Sequence, residues 1–88
     1  MNKIIKKAFA LEYKGKSNNA PRITAKGVGL YADQIKSAAE SETIPVIRNA
    51  ILADNLTNIE LGEEIPEELF ESVAIVLSRA YWLKGKEP

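Results

Sequence analysis

The chain has 88 residues, enough for one domain that buries roughly 60–65% of its unfolded surface. Apolar residues make up 45% and charged residues 27%, with twelve basic side chains against twelve acidic ones. That balance excludes a disordered chain and gives no net basic surface for nucleic acid. Cysteine and histidine are both absent, which removes disulfides, thiol nucleophiles, cysteinyl zinc sites and the commonest general base.

In chain order, Met1-Asn2-Lys3-Ile4-Ile5 is followed by no apolar core of a secretory signal, and no apolar stretch approaches the ~20 residues of a membrane helix. Ala8-Phe9-Ala10-Leu11-Glu12-Tyr13 reads as a first strand, with Lys-rich residues before it that extend it or shield its edge. Gly15, Ser17, Asn18 and Asn19 form a polar loop closed by Ala20-Pro21. Arg22-Ile23-Thr24-Ala25-Lys26 alternates, which puts Ile23 and Ala25 on one face and ends a second strand at Gly27. From Leu30 to Ser41 the period becomes helical, with Tyr31, Ile35, Ala38 and Ala39 on the inward face. Pro45-Val46-Ile47 reads as a third, buried strand, and Asn49 as the N-cap of a short helix through Leu56.

The last element carries the clearest signals. Pro66 suits a first helical position, Glu67 and Glu68 the positive first turn, Lys84 the last turn, and Gly85 the stop. Leu69, Val73, Val76, Leu77, Ala80 and Leu83 fall on one face, with Phe70, Ala74 and Tyr81 along its margin. The order β, β, α, β, α, α predicts an α/β (α+β) single domain, a small mixed sheet of about three strands surrounded by helices.

No constellation rises to chemistry. Glu63-Glu64 and Glu67-Glu68 read as dipole and solubility residues rather than a metal or acid/base cluster. Gly27-Val28-Gly29 lacks the third glycine of a dinucleotide loop and the Gly-Lys-Ser/Thr of a P-loop, and reads as a turn. A hydroxyl nucleophile would need a lysine or terminal amine as its base, and no spacing signals one. No catalytic residue, metal ligand or cofactor is expected, and a binding module is the reading that remains. Lys3, Lys6, Lys7, Lys14, Lys16, Arg22 and Lys26 crowd the first third, as a solvated basic face. Ile75 and Trp82 are seven residues apart, on a line away from the core face of the last helix. Either residues 1–7 cover that line or a partner does.

Ala10-Leu11-Glu12-Tyr13, then Ala20-Pro21-Arg22-Ile23-Thr24-Ala25-Lys26-Gly27, and Gly62-Glu63-Glu64-Ile65-Pro66-Glu67-Glu68-Leu69 together resemble a known pattern. They look like the cytoplasmic C-terminal domain of the FlhB/YscU family, the switch proteins of flagellar and virulence type III export. Pro45-Val46-Ile47 and Val73-Ala74-Ile75-Val76-Leu77 with Tyr81 and Leu83-Lys84 continue the resemblance. It covers residues 8–84 as a family-like core within a single domain of 1–88, flanked by an N-terminal extension, 1–7, and a tail, 85–88.

Family members carry four membrane helices ahead of this domain and an Asn-Pro-Thr-His motif, which falls here on Lys3-Ile4-Ile5-Lys6. Their self-cleavage uses the Asn side chain against its own carbonyl, and lysine has no such amide, so no self-cleavage is expected. Ala50-Ile51 stands where the family has Pro-Pro, and Asp54 where it favours Arg.

The resemblance implies a cytoplasmic bacterial export component, tied to the membrane only through the export gate. Its implied partners are export substrates, gate proteins and a truncated family member, with an influence on substrate specificity. A decoy that binds ruler or chaperone proteins away from the gate is the alternative. A substrate groove of Ala20, Pro21, Ala74 and Leu77 is implied too, with Ile75 and Trp82 as a partner surface.

Overall fold

Two antiparallel strands, β1 (Lys7–Glu12) and β2 (Arg22–Val28), form the sheet. Three helices follow: α1 (Leu30–Ser41), α2 (Ala50–Leu56) and α3 (Phe70–Gly85), the last preceded by a 3-10 turn, Glu67–Leu69. The structure is a computed structural model and describes residues 6–13 and 20–85. The α/β class expected from the sequence is the one found, with two strands among the described residues rather than three.

The expected strand at Pro45-Val46-Ile47 is extended coil without a ladder partner, and Val46 is 47% exposed. Pro45 has no N–H to donate, and the N–H of Ile44 closes the end of α1 on the Ala39 carbonyl at 2.8 Å. A different segment lies along β2. Ile23 N donates to the Glu63 carbonyl at 3.2 Å, and Gly62 N returns a bond to the Ile23 carbonyl at 2.7 Å. Ile65 N donates to the Pro21 carbonyl at 2.7 Å, and Arg22 bridges Glu64. Residues 62–65 thus occupy the outer edge of the first half of β2.

A bulge decides which side chains face which layer. Leu11 opposes Ile23 and Phe9 opposes Lys26, while Ala10 opposes Ala25, so Thr24 is the extra residue. Directly opposed residues share a face. Ile23 and Lys26 therefore point one way with Phe9 and Leu11, and Ala25 and Gly27 point the other way with Ala8 and Ala10. Strict alternation had placed Ile23 beside Ala25; one inserted residue separates them.

The two faces serve different layers. Small residues on the Ala8–Gly27 side let α1 settle closely, and a Cβ on Gly27 would meet Tyr31 and Ile35. The buried residue of α1 is Ala32, flanked by the half-buried Ile35 and Ala39, while Tyr31 is 69% exposed. The inward face is thus rotated by about one residue from the one the sequence suggested. On the opposite side of the sheet Ile23, Leu52, Leu56, Ile65 and Val73 form the core, with Phe9, Leu11, Leu69, Val76 and Leu77 against it. Each fully buried aliphatic side chain contributes about 1.5–3 kcal/mol relative to exposure.

Local signals set the helix ends. Gly29, at φ 64°, turns the chain into α1; its N–H bonds the Lys6 carbonyl, and its own carbonyl accepts from Asp33 N. Asn49 Oδ1 accepts from Leu52 N at 3.0 Å and caps α2, as its position in the sequence suggests. Pro66 is extended at ψ 154° and stands just outside the 3-10 turn, not at a first helical position. Gly85 is the last residue of α3 rather than the residue after it.

Candidate docking surface

The residues singled out in the sequence lie in two regions joined through the core. Ala20 and Pro21 are half-buried at the start of β2, where the Pro21 carbonyl holds Ile65. Ile65 and Val73 belong to the same buried cluster, so the Ala-Pro corner and α3 share one support. On α3, Leu77 leans on that cluster, whereas Ala74 is exposed. Leu77 is therefore partly a packing residue, and Ala74 is free of that duty.

Ile75 and Trp82 are 58% and 60% exposed, on the side away from Val73. Phe70 and Tyr81, read from the sequence as a margin of the core face, are 43% and 60% exposed and lie on the side nearer Val73. Burial fades along the helix: Val73 is fully buried, Val76 and Leu77 partly, and Leu83 is 37% exposed. α3, at 16 residues, is the longest described element, and among the described residues its burial falls toward the C-terminal half.

A concavity elsewhere was not foreseen. An open hollow of about 380 Å³ lies between β2 and α1, lined by Thr24, Ala25, Tyr31, Gln34, Ile35 and Leu61 among others. Its sequence signal is the pairing of a small strand residue, Ala25, with exposed Tyr31 and Leu61 nearby. The bulge at Thr24, which turns Ala25 toward it, leaves no such signal.

The described basic residues of the first third are engaged one by one. Lys6 pairs with Asp33, Lys7 with Asp54, and Arg22 with Glu64, each at 3.3 Å. Lys26 Nζ donates to the carbonyls of Thr57 and Ile59 at 3.1 and 2.8 Å, at the exit of α2. Lys3, Lys14 and Lys16 lie outside the described residues. Among the acids, Glu63 Oε1 accepts from Glu60 N at 2.7 Å, a local turn-closing bond. The described residues contain no acidic group arranged to hold a metal ion, and no helix long and apolar enough to cross a membrane.

Lys3, Ile4 and Ile5, where the family's cleavage motif would fall, also lie outside the described residues. The sequence nevertheless contains no Asn-Pro dipeptide anywhere, so the bond that such cleavage breaks does not exist in this chain.

The family model described as "FlhB HrpN YscU SpaS Family" matches residues 5–80. YlqH of Bacillus subtilis is 35% identical over 79 residues, covering 90% of this chain and 85% of YlqH. The flagellar biosynthetic protein FlhB of Aquifex aeolicus is 36% identical over 80 residues, and there the chain spans only 23% of the relative's length. Among solved structures, a mutated EscU C-terminal domain superposes with a TM-score of 0.82 at 36% identity, over 88% of this chain and 94% of that one. The cytoplasmic domain of FlhB from Shewanella putrefaciens gives 0.82 at 32% identity, over 93% and 69%. A family match over most of the chain, and one fold shared with the C-terminal domains of EscU and FlhB, make this chain a member of the FlhB/YscU family.

Proposed function

We propose that this chain is a soluble cytoplasmic component of a bacterial type III protein export apparatus. It binds export substrates or gate proteins, influences which substrates pass, and acts without self-cleavage or catalysis. The observation that supports this reading best is the likeness of nearly the whole described chain to the cytoplasmic domain of FlhB. The docking groove proposed for substrates runs from the Ala20–Pro21 corner to Ala74 and Leu77, with Ile75 and Trp82 as a further contact surface. Exposed apolar side chains on a helix anchored in the core through Val73 suit reversible binding of a polypeptide.

The test uses cells whose FlhB-family protein is truncated at its cleavage site. Supplying this chain should restore secretion or motility, and the chain should co-purify with the membrane gate. Folded protein that restores nothing at any expression level would overturn the reading. Capture of ruler or chaperone proteins without gate association would point instead to a decoy.

A further inference from the structure

We propose that the second half of the outer edge of β2, with the hollow beside it, is a docking groove for an extended polypeptide segment. The segment adds as an antiparallel strand and carries apolar side chains at every second position. This site goes beyond the export reading and lies at the opposite end of β2 from the Ala20–Pro21 corner.

The ladder shows which backbone groups turn outward. Gly29 N donates to the Lys6 carbonyl at 2.9 Å, so Lys6 with Gly29 and Ala8 with Gly27 are the bonded pairs of this stretch. Lys26 and Val28 alternate with them and direct their N–H and C=O groups away from β1. Both residues are exposed, and no described residue bonds those four groups. Farther back on the same edge, the corresponding groups of Ile23 are taken by Gly62 and Glu63. Among the described residues, the chain thus fills one half of this edge with its own antiparallel segment and leaves the other half open.

Those groups name the occupant. Donors and acceptors repeating every second residue along a strand are matched by another extended backbone, not by a helix or a small solute. A segment running antiparallel to β2, as residues 62–65 do, sets one residue opposite Val28 and the next but one opposite Lys26. Its side chains opposite Gly27 and Ala25 then fall on the α1 face of the sheet.

On that face lies the hollow of about 380 Å³ lined by Ala25, Tyr31, Gln34, Ile35, Ala38 and Leu61. Ala25 gives it a low floor, and the exposed Tyr31 and Leu61 give it apolar walls. An apolar side chain entering there leaves water while its backbone completes the ladder, so edge and hollow reinforce one another. The residue opposite Lys26 points to the other face, where a polar or acidic side chain suits the lysine.

The test titrates the isotope-labelled full chain with the peptide acetyl-Thr-Val-Glu-Val-Thr-amide up to about 5 mM, and a Kd of roughly 0.1–1 mM is expected. The amide signals of Lys26 and Val28 should shift, and their hydrogen exchange should slow at least ~5-fold at saturation. Methylating the peptide nitrogen of the Glu, which would bond the Lys26 carbonyl, should weaken binding about 10-fold. Ala38→Glu, an exposed substitution that puts a charge in the hollow, should weaken it about 5–10-fold with unchanged circular dichroism and melting. Amide signals of Lys26 and Val28 that do not move overturn the proposal. So does equal affinity for the methylated peptide, or a folded Ala38→Glu chain that binds like the parent. Sedimentation without peptide should give a monomer; a dimer in which the Lys26 and Val28 amides are already protected would make a second copy the occupant and overturn it as well.

Discussion

Gly27 on β2 lies so close to Tyr31 on α1 that a methyl group on Gly27 would stand 2.7 Å from the Tyr31 Cβ and 3.0 Å from its carbonyl carbon. Neither atom is the free end of a flexible side chain, so α1 itself would have to shift. Gly27→Ala should destabilise the domain by about 1–3 kcal/mol, more than the ~0.4–1 kcal/mol gained by stiffening the unfolded chain. At Gly29 there is open space around the added methyl, and only its φ of 64° resists substitution. Gly29→Ala should therefore cost less, about 1–2 kcal/mol, and paired urea titrations should show that order.

The cap of α2 is a single side chain. Asn49→Ala removes the acceptor for Leu52 N and should cost about 1 kcal/mol, whereas Asn49→Asp or Asn49→Ser should be close to neutral. Because α2 carries buried Leu52 and Leu56, the loss should appear in global unfolding rather than as local fraying. Chemical denaturation of the three variants, with unchanged m-values, is the check.

Ile65 links three elements: it is 2% exposed, sits in the core with Val73, and its N–H binds the Pro21 carbonyl. Ile65→Ala should cost about 2–5 kcal/mol through the cavity it leaves. Arg22→Met, which removes an exposed hydrogen bond to the Gly62 carbonyl and an ion pair to Glu64 with both partners roughly half exposed, should cost about 1–2 kcal/mol. Equal losses in the two variants would mean that the 62–65 segment is held by its charges and not by its buried side chain.

Function and fold should separate at Ala74. Ala74→Asp adds a charge at an exposed position, so melting should change little, within roughly 0.5 kcal/mol. If Ala74 is desolvated on binding, the same charge should weaken substrate docking by several kcal/mol. Secretion assays beside melting curves read the two effects independently. In parallel, intact mass should stay constant through prolonged incubation, since no Asn-Pro bond is present to break.

The sequence by itself determined the three helices, the two paired strands and the family. These follow from local rules: the 100° turn of a helix, a capping Asn, and glycines where the chain bends. The Asn49 cap and the limits of α1 and α2 are as local as any feature of the chain, and they match the structure. Ala74 and Leu77 were also legible, as margin and core face of one helix, and their burial follows that order. Leu77 meets the core and Ala74 does not, which depends on where Ile65 and Ile23 stand.

Tertiary structure decided the rest because backbone groups choose partners that no short window contains. The outer edge of β2 took residues 62–65, some forty positions away, instead of the apolar Pro45–Ile47 segment that local propensity favoured. The bulge at Thr24 moved Lys26 to the core face, where its amine reaches the carbonyls at the end of α2. Small Ala8, Ala10, Ala25 and Gly27 then formed the floor for α1, and the rotation of that helix followed from Gly27 meeting Tyr31. Tyr81, 60% exposed, shows the same kind of decision: among the described residues burial fades along α3, and helical periodicity does not report where it fades.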